Sequence, residues 1–323
     1  MILPKLFRKK ISVWGRLVRI KAKNLTFKGL GGAPIYFVVK FFVKGMIEGS
    51  VSTRASAVAF SFFVAIFPTI IFVFTLIPYV PIQNFQEQLL ALIEGVIPKN
   101  AFLLVEATLV DVVTRKSGGL LSFGFIAALF FSHNGIIALI DAFNATYHTI
   151  ESRSFIKKHL AAFLLTIILP LLVTISVALM LFGQLTLSFL VGKDLLELNL
   201  TYYLIFVGKW LITLMLFFFC ISFLYYFAPS KRSEFKFFSS GATMATIMII
   251  VTSLVFSYLV NNTLQYNKLY GSIGSLLALM AWIYFNSIGL IVGFDLNVSI
   301  SIAKRNYWTK KAPHDPAEEL STD

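Results

Sequence analysis

Six runs of about 20 mainly apolar residues punctuate the chain, at 55–77, 119–140, 160–182, 204–227, 241–260 and 273–294. That length is what a helix needs to cross a bilayer. At 1.5 Å per residue each run reaches roughly 30 Å, the depth of the hydrocarbon core. Hydrocarbon offers no water to satisfy backbone amides and carbonyls, so only helices and closed barrels span it. Barrel strands alternate apolar and polar residues. These runs are apolar all round, so helices remain. The expected fold is all-α: a polytopic membrane helix bundle with six transmembrane helices plus interfacial amphipathic helices.

Composition agrees. The 323 residues are 58% hydrophobic and 13% charged. A soluble domain runs near 45–50% apolar and about 25% charged. A disordered chain, a disulfide scaffold and a soluble enzyme are excluded. The single cysteine, Cys220, lies in an apolar run, and the four histidines are scattered. No spacing of Cys or His suits a metal, and no phosphate-cradling glycine motif occurs. No metal, cofactor or catalytic residue is expected, and the chain is not read as an enzyme.

Charge sets the sidedness. There are 28 Lys and Arg against 15 Asp and Glu, a net +13. Six spans leave both termini on one side. The terminal segments and the loops after spans 2 and 4 hold 22 of the 28 basic residues. Basic residues collect on the cytoplasmic face. The chain is thus expected to be a multi-pass protein of the bacterial cytoplasmic (inner) membrane, with both termini cytoplasmic.

Three regions follow: a basic cytoplasmic or interfacial segment at 1–54, a six-span domain at 55–301, and a polar cytoplasmic tail at 302–323, expected to be disordered. In the first, Phe7, Ile11, Trp14 and Val18 form a helical stripe with lysines and arginines opposite. Such a helix suits an anionic leaflet, so membrane lipids are the expected partner there. A second interfacial helix is expected at 36–47. The longest external loop, at 78–118, has helical spacing on both sides of Pro98, predicting two short amphipathic helices.

Ionisable groups are costly at membrane depth, so their positions are informative. Arg54 opens span 1, Asp141 closes span 2 and Asp295 closes span 6. The topology puts all three at the cytoplasmic end. His133, Asn134 and Asn144 lie near Asp141 along span 2. Asn286 and Asn297 flank the approach to Asp295. Two readings fit: a polar pocket or gate, or a structural clamp of paired charges and interhelical amide bonds. Pro68 and Pro170 interrupt spans 1 and 3 and predict kinks. Gly271, Gly274, Gly289 and Gly293 favour close helix packing, within the chain or with a second protomer.

Three stretches carry a resemblance. They are Arg54–Phe60 with Phe67-Pro68, Leu139–Tyr147, and Tyr266–Gly274 running through Trp282-Ile283-Tyr284 to Gly293–Asn297. Together they resemble the YihY/virulence factor BrkB family of bacterial inner-membrane proteins, over about 40–305. The family usually has glutamate where this chain has Asp295, which keeps the charge and shortens the reach. The resemblance implies six spans and an ill-defined activity. It also brings an old ribonuclease BN label. A metal-dependent nuclease needs clustered His, Asp or Glu ligands, and this sequence has none at ligand spacing. No specific nucleic acid is expected as a partner.

The leading functional expectation is a transporter or lipid-handling permease. The alternative is a non-catalytic scaffold of a cell-envelope assembly, with a homo-oligomer or envelope protein as partner.

Overall fold

A helix satisfies its own backbone, so a chain of long apolar segments folds by settling helices against one another. The computed structural model of the chain describes residues 25–27, 32–79, 110, 111, 114–146, 153–192, 200–230, 237–262 and 266–311. Seven helices follow in order: α1 Ile35–Glu48, α2 Val51–Leu76, α3 Gly118–Asn144, α4 Phe155–Gly192, α5 Leu200–Phe227, α6 Ser240–Asn262 and α7 Tyr266–Lys311. Among the described residues there is no β-strand, and six helices are long and apolar enough to cross a membrane. All six expected spans are present, on helices that outrun the apolar runs. Segments 1–24 and 80–109, with the expected N-terminal stripe and most of the loop helices, lie outside the described residues.

Local chemistry explains the boundaries. Gly49 caps α1, and Ser50 takes the left-handed conformation at φ 48°, turning the chain sharply into α2. Ser117 caps α3 by accepting from the Leu120 amide. Pro68 and Pro170 sit inside continuous helices. Each removes one amide from the ladder without ending the helix.

One boundary differs from expectation. The polar tail is expected from 302, yet α7 stays helical to Lys311. Its 46 residues extend roughly 70 Å, far beyond the hydrocarbon core. The reason is cover. Ala303 is buried with Ala33 and Val38, and Phe37 and Phe41 of α1 pack around them. The segment at 312–323 lies outside the described residues.

Helix α2 packs on α3 and α7, α6 packs on α7, and α4 packs on α3 and α5. The core is uneven along the bundle. Val58, Leu139, Phe143, Leu165, Tyr225, Ala245 and Phe294 are fully or nearly buried, and all lie toward the end that carries Arg54. The remote halves of α4, α5 and α6 bear many exposed large side chains, among them Val177, Phe182, Leu204, Leu211, Leu254 and Tyr258. The bundle is therefore closed most tightly around Arg54.

Candidate functional site

Arg54 is in the first turn of α2, just past the sharp bend at Ser50. Its Nη2 donates to Asp295 Oδ2 at 2.8 Å and its Nη1 to Asp295 Oδ1 at 3.3 Å. Nη1 also donates to the Ala142 carbonyl and to Thr146 Oγ1, both at 2.8 Å, and Nε to the Gly49 carbonyl at 2.7 Å. The Thr146 hydroxyl in turn donates to Asp295 Oδ1 at 2.8 Å. Arg54 is 8% exposed and Asp295 1%. Three helices, α2, α3 and α7, thus converge on one forked guanidinium–carboxylate pair. Arginine suits the place: it stays charged, and its planar fork matches a carboxylate with two parallel bonds. Beside the pair, Phe143 and Phe294 stack at 4.3 Å, and Tyr225 meets both rings edge-on. Tyr225 donates to the Leu290 carbonyl.

Asp141 does not join this cluster. The expected triad of Arg54, Asp141 and Asp295 is divided into two pairs. The Asp141 carboxylate accepts from Lys158 of α4 and is 54% exposed. Helix rotation explains the division: Ala142 turns its backbone toward Arg54, and the preceding side chain points away.

His133 lies close to His159 of α4. Their nitrogens are 3.0 Å apart and the rings stack at 5.2 Å. Asn134 is exposed, so it contributes nothing to a buried pocket. Asn144 is buried and accepts from the Ser230 amide at 3.4 Å. Asn286 donates to the carbonyl of Trp282, one turn back on its own helix. Asn297 does bridge helices: its Oδ1 accepts from the Gly241 amide at 2.8 Å and its Nδ2 bonds Ser239 Oγ at 2.9 Å. The polar residues therefore form several separate contacts rather than one pocket.

Two of the four glycines, Gly289 and Gly293, find their partner within the chain. A Cβ on Gly293 would stand 2.6 Å from the Gly241 carbonyl and 2.7 Å from Ala245 Cβ. Gly289 abuts Met248 and Ile249 at 3.4 Å. Both glycines thus seat α7 against α6. Gly271 and Gly274 belong to the first turns of α7, where Gly274 is buried.

A second feature was not foreseen. A cavity of about 430 Å³ lies between α2, α3 and α4, with Leu224 of α5 and Leu290 of α7 also in its lining. Its walls are almost wholly apolar and include Phe62, Ile66, Ile136, Leu169 and Pro170. The hydroxyls of Thr69 and Thr166, also in the lining, donate to the carbonyls of Ala65 and Ala162 one turn back. Pro170 gave the only sequence signal for this place. The Arg54 partner Thr146 was equally hidden, although it falls inside one of the stretches that carry the family resemblance.

Among the described residues, no three His, Cys, Asp or Glu side chains gather as they would to hold a metal ion. The chain matches the virulence factor BrkB family over residues 42–318. It is 33% identical over 256 residues to the ribonuclease-like protein YfkH of Bacillus subtilis (strain 168), covering 78% of this chain and 91% of that one. It is 21% identical over 257 residues to a UPF0761 membrane protein of Haemophilus influenzae (strain 86-028NP), with 79% and 91% covered. A UPF0761 membrane protein of Vibrio campbellii (strain ATCC BAA-1116) is 25% identical over 117 residues, 36% of each chain. No solved structure matches the chain. The family match takes in Arg54, Thr146 and Asp295 as well as all six membrane-length helices, and on that breadth the chain belongs to the virulence factor BrkB family of membrane proteins.

Proposed function

We propose that the protein is a permease for lipid-like molecules in the cytoplasmic membrane, with both termini in the cytoplasm. One observation carries the reading: the apolar cavity between α2, α3 and α4. Its volume falls within the range of small-molecule sites, roughly 300–1,000 Å³. Its lining carries no charged side chain, so it suits hydrocarbon rather than an ion or a polar solute. The Arg54–Asp295 pair does not suit a solute pathway. It is closed off by packed aromatic rings and its donors are already engaged. On this reading the pair is the clamp that holds the closed end of the bundle. The lack of a nucleotide-binding motif leaves movement that is passive, coupled to an ion, or driven by a partner. The ribonuclease-like name of the Bacillus relative is not carried over, because among the described residues no His, Cys, Asp or Glu side chains gather as a metal-dependent nuclease needs.

The test is reconstitution into liposomes bearing a headgroup-labelled fluorescent phospholipid, with quencher added outside. Protein-dependent loss of the protected inner-leaflet signal supports a permease. If no lipid moves under any ion gradient, and the protein instead co-purifies stably with envelope proteins, the scaffold reading replaces it.

A further inference from the structure

The cavity has a mouth and a base. Ile70 of α2 and Val173 of α4 line it and are 47% and 44% exposed. Leu139 and Leu224 also line it and are 1% and 4% exposed. On α2 the buried lining residue Ala65 precedes Ile70, and on α4 the buried Thr166 precedes Val173, so along both helices the mouth lies farther from Arg54 than the base does. Each wall packs on other helices, α2 on α3 and α7 and α4 on α3 and α5. Outside the mouth, Val73 on α2 and Val177 on α4 follow Ile70 and Val173 by one helical turn on the same faces, and both are exposed and apolar. At the base, Leu139 and Leu224 belong to the core cluster that includes Phe143 and Phe294.

We infer that this cleft receives one acyl chain of a bilayer phospholipid, entering sideways between α2 and α4 from the leaflet remote from Arg54. The inference deepens the permease reading and rests on it for its role. Water is a poor occupant. A buried water needs two to four polar partners; of the three hydroxyls in the lining, those of Thr69 and Thr166 are engaged with their own helices, which leaves Ser132 as one partner and too few. The mouth faces the lipid-exposed belt of two membrane-length helices, where acyl chains are the surrounding medium. A phospholipid keeps its headgroup in the interface while one chain enters, so no charge is buried in a lining that holds no cation. A free fatty acid entering by its tail is separated by the labelling experiment.

The experiment uses the full chain in nanodiscs containing a phosphatidylcholine with a diazirine at the end of one acyl chain. After irradiation, adducts are mapped by peptide mass spectrometry. Adducts at the base, on Leu139, Leu224 or Ile136, are the expected result. Two variants accompany the protein: Ala65→Phe, which fills the cleft, and Val173→Trp, which narrows the mouth from a half-exposed position and spares the core. Each should cut base labelling several-fold, whereas Leu254→Trp on the exposed side of α6 should leave it unchanged. Elution and melting profiles identify a variant that fails to fold, and Val173→Trp then decides. Adducts confined to outward-facing residues such as Leu254 overturn the inference. So does base labelling by a diazirine fatty acid without labelling by the phospholipid. Base labelling with no lipid movement in liposomes supports the acyl-chain site and removes the permease reading. Lipid movement that persists without base labelling, and that Val173→Trp leaves unchanged, removes the site and keeps the permease.

Discussion

Arg54 and Asp295 stand 241 positions apart in sequence and meet at 2.8 Å, with the carboxylate 1% exposed. The pair ties the start of α2 to α7, and Thr146 and the Ala142 carbonyl bring in the end of α3. Burying two charges is expensive, and only tight geometry with further hydrogen bonds repays it. Those further bonds are present on both partners.

Breaking the pair from one side leaves the other charge buried alone. Arg54→Ala or Asp295→Ala is expected to cost about 3–5 kcal/mol, while a double replacement by Met at 54 and Leu at 295 should cost much less than the two singles added. Reversible unfolding in mixed detergent micelles measures all three. Additive losses would show that the two residues act independently.

Thr146 is the hinge of the network, accepting from Arg54 and donating to Asp295. Thr146→Val keeps the shape and removes the hydroxyl. It should destabilise by about 1–3 kcal/mol, the cost of leaving buried partners unsatisfied, and Thr146→Ser should restore most of it. The same unfolding assay distinguishes the two variants.

Asp141 behaves differently because it is half-exposed and paired with a lysine at the surface of the bundle. Asp141→Asn should change stability by at most about 1 kcal/mol. A loss as large as that of Asp295→Ala would restore Asp141 to the buried cluster.

The crossing of α6 and α7 depends on missing side chains. Gly293→Ala places a methyl 2.6 Å from the Gly241 carbonyl and should disrupt the packing of α7 on α6. At Gly289 the new methyl meets Met248 and Ile249 at 3.4 Å, ordinary contact, so Gly289→Ala should be tolerated. At Gly45 of α1 nothing lies within 4 Å, and alanine there serves as the neutral control. Melting temperatures of the three variants should rise in that order, with Gly293→Ala lowest.

Much of this architecture is legible in the chain itself. Apolar runs announce spans because transfer into hydrocarbon depends on each residue and its near neighbours. The Gly289 and Gly293 spacing likewise marks a packing face. The start of the tail departs from the local pattern for the opposite reason. Lys304 and Arg305 read as solvated, but Ala303 beside them finds cover on α1. That cover comes from residues more than 250 positions away.

Apolar runs and scarce charges in the chain fix the class of fold, the six membrane-length helices and the few costly charges worth following. Tertiary structure decided which charges meet. Helix rotation turned Asp295 and Thr146 onto Arg54 and Asp141 onto Lys158. It also decided where α2, α3 and α4 leave the space that no local pattern announced. Hydrophobicity is a local property of the chain, whereas a pairing or a cavity exists only once separate helices have fixed their rotation and distance.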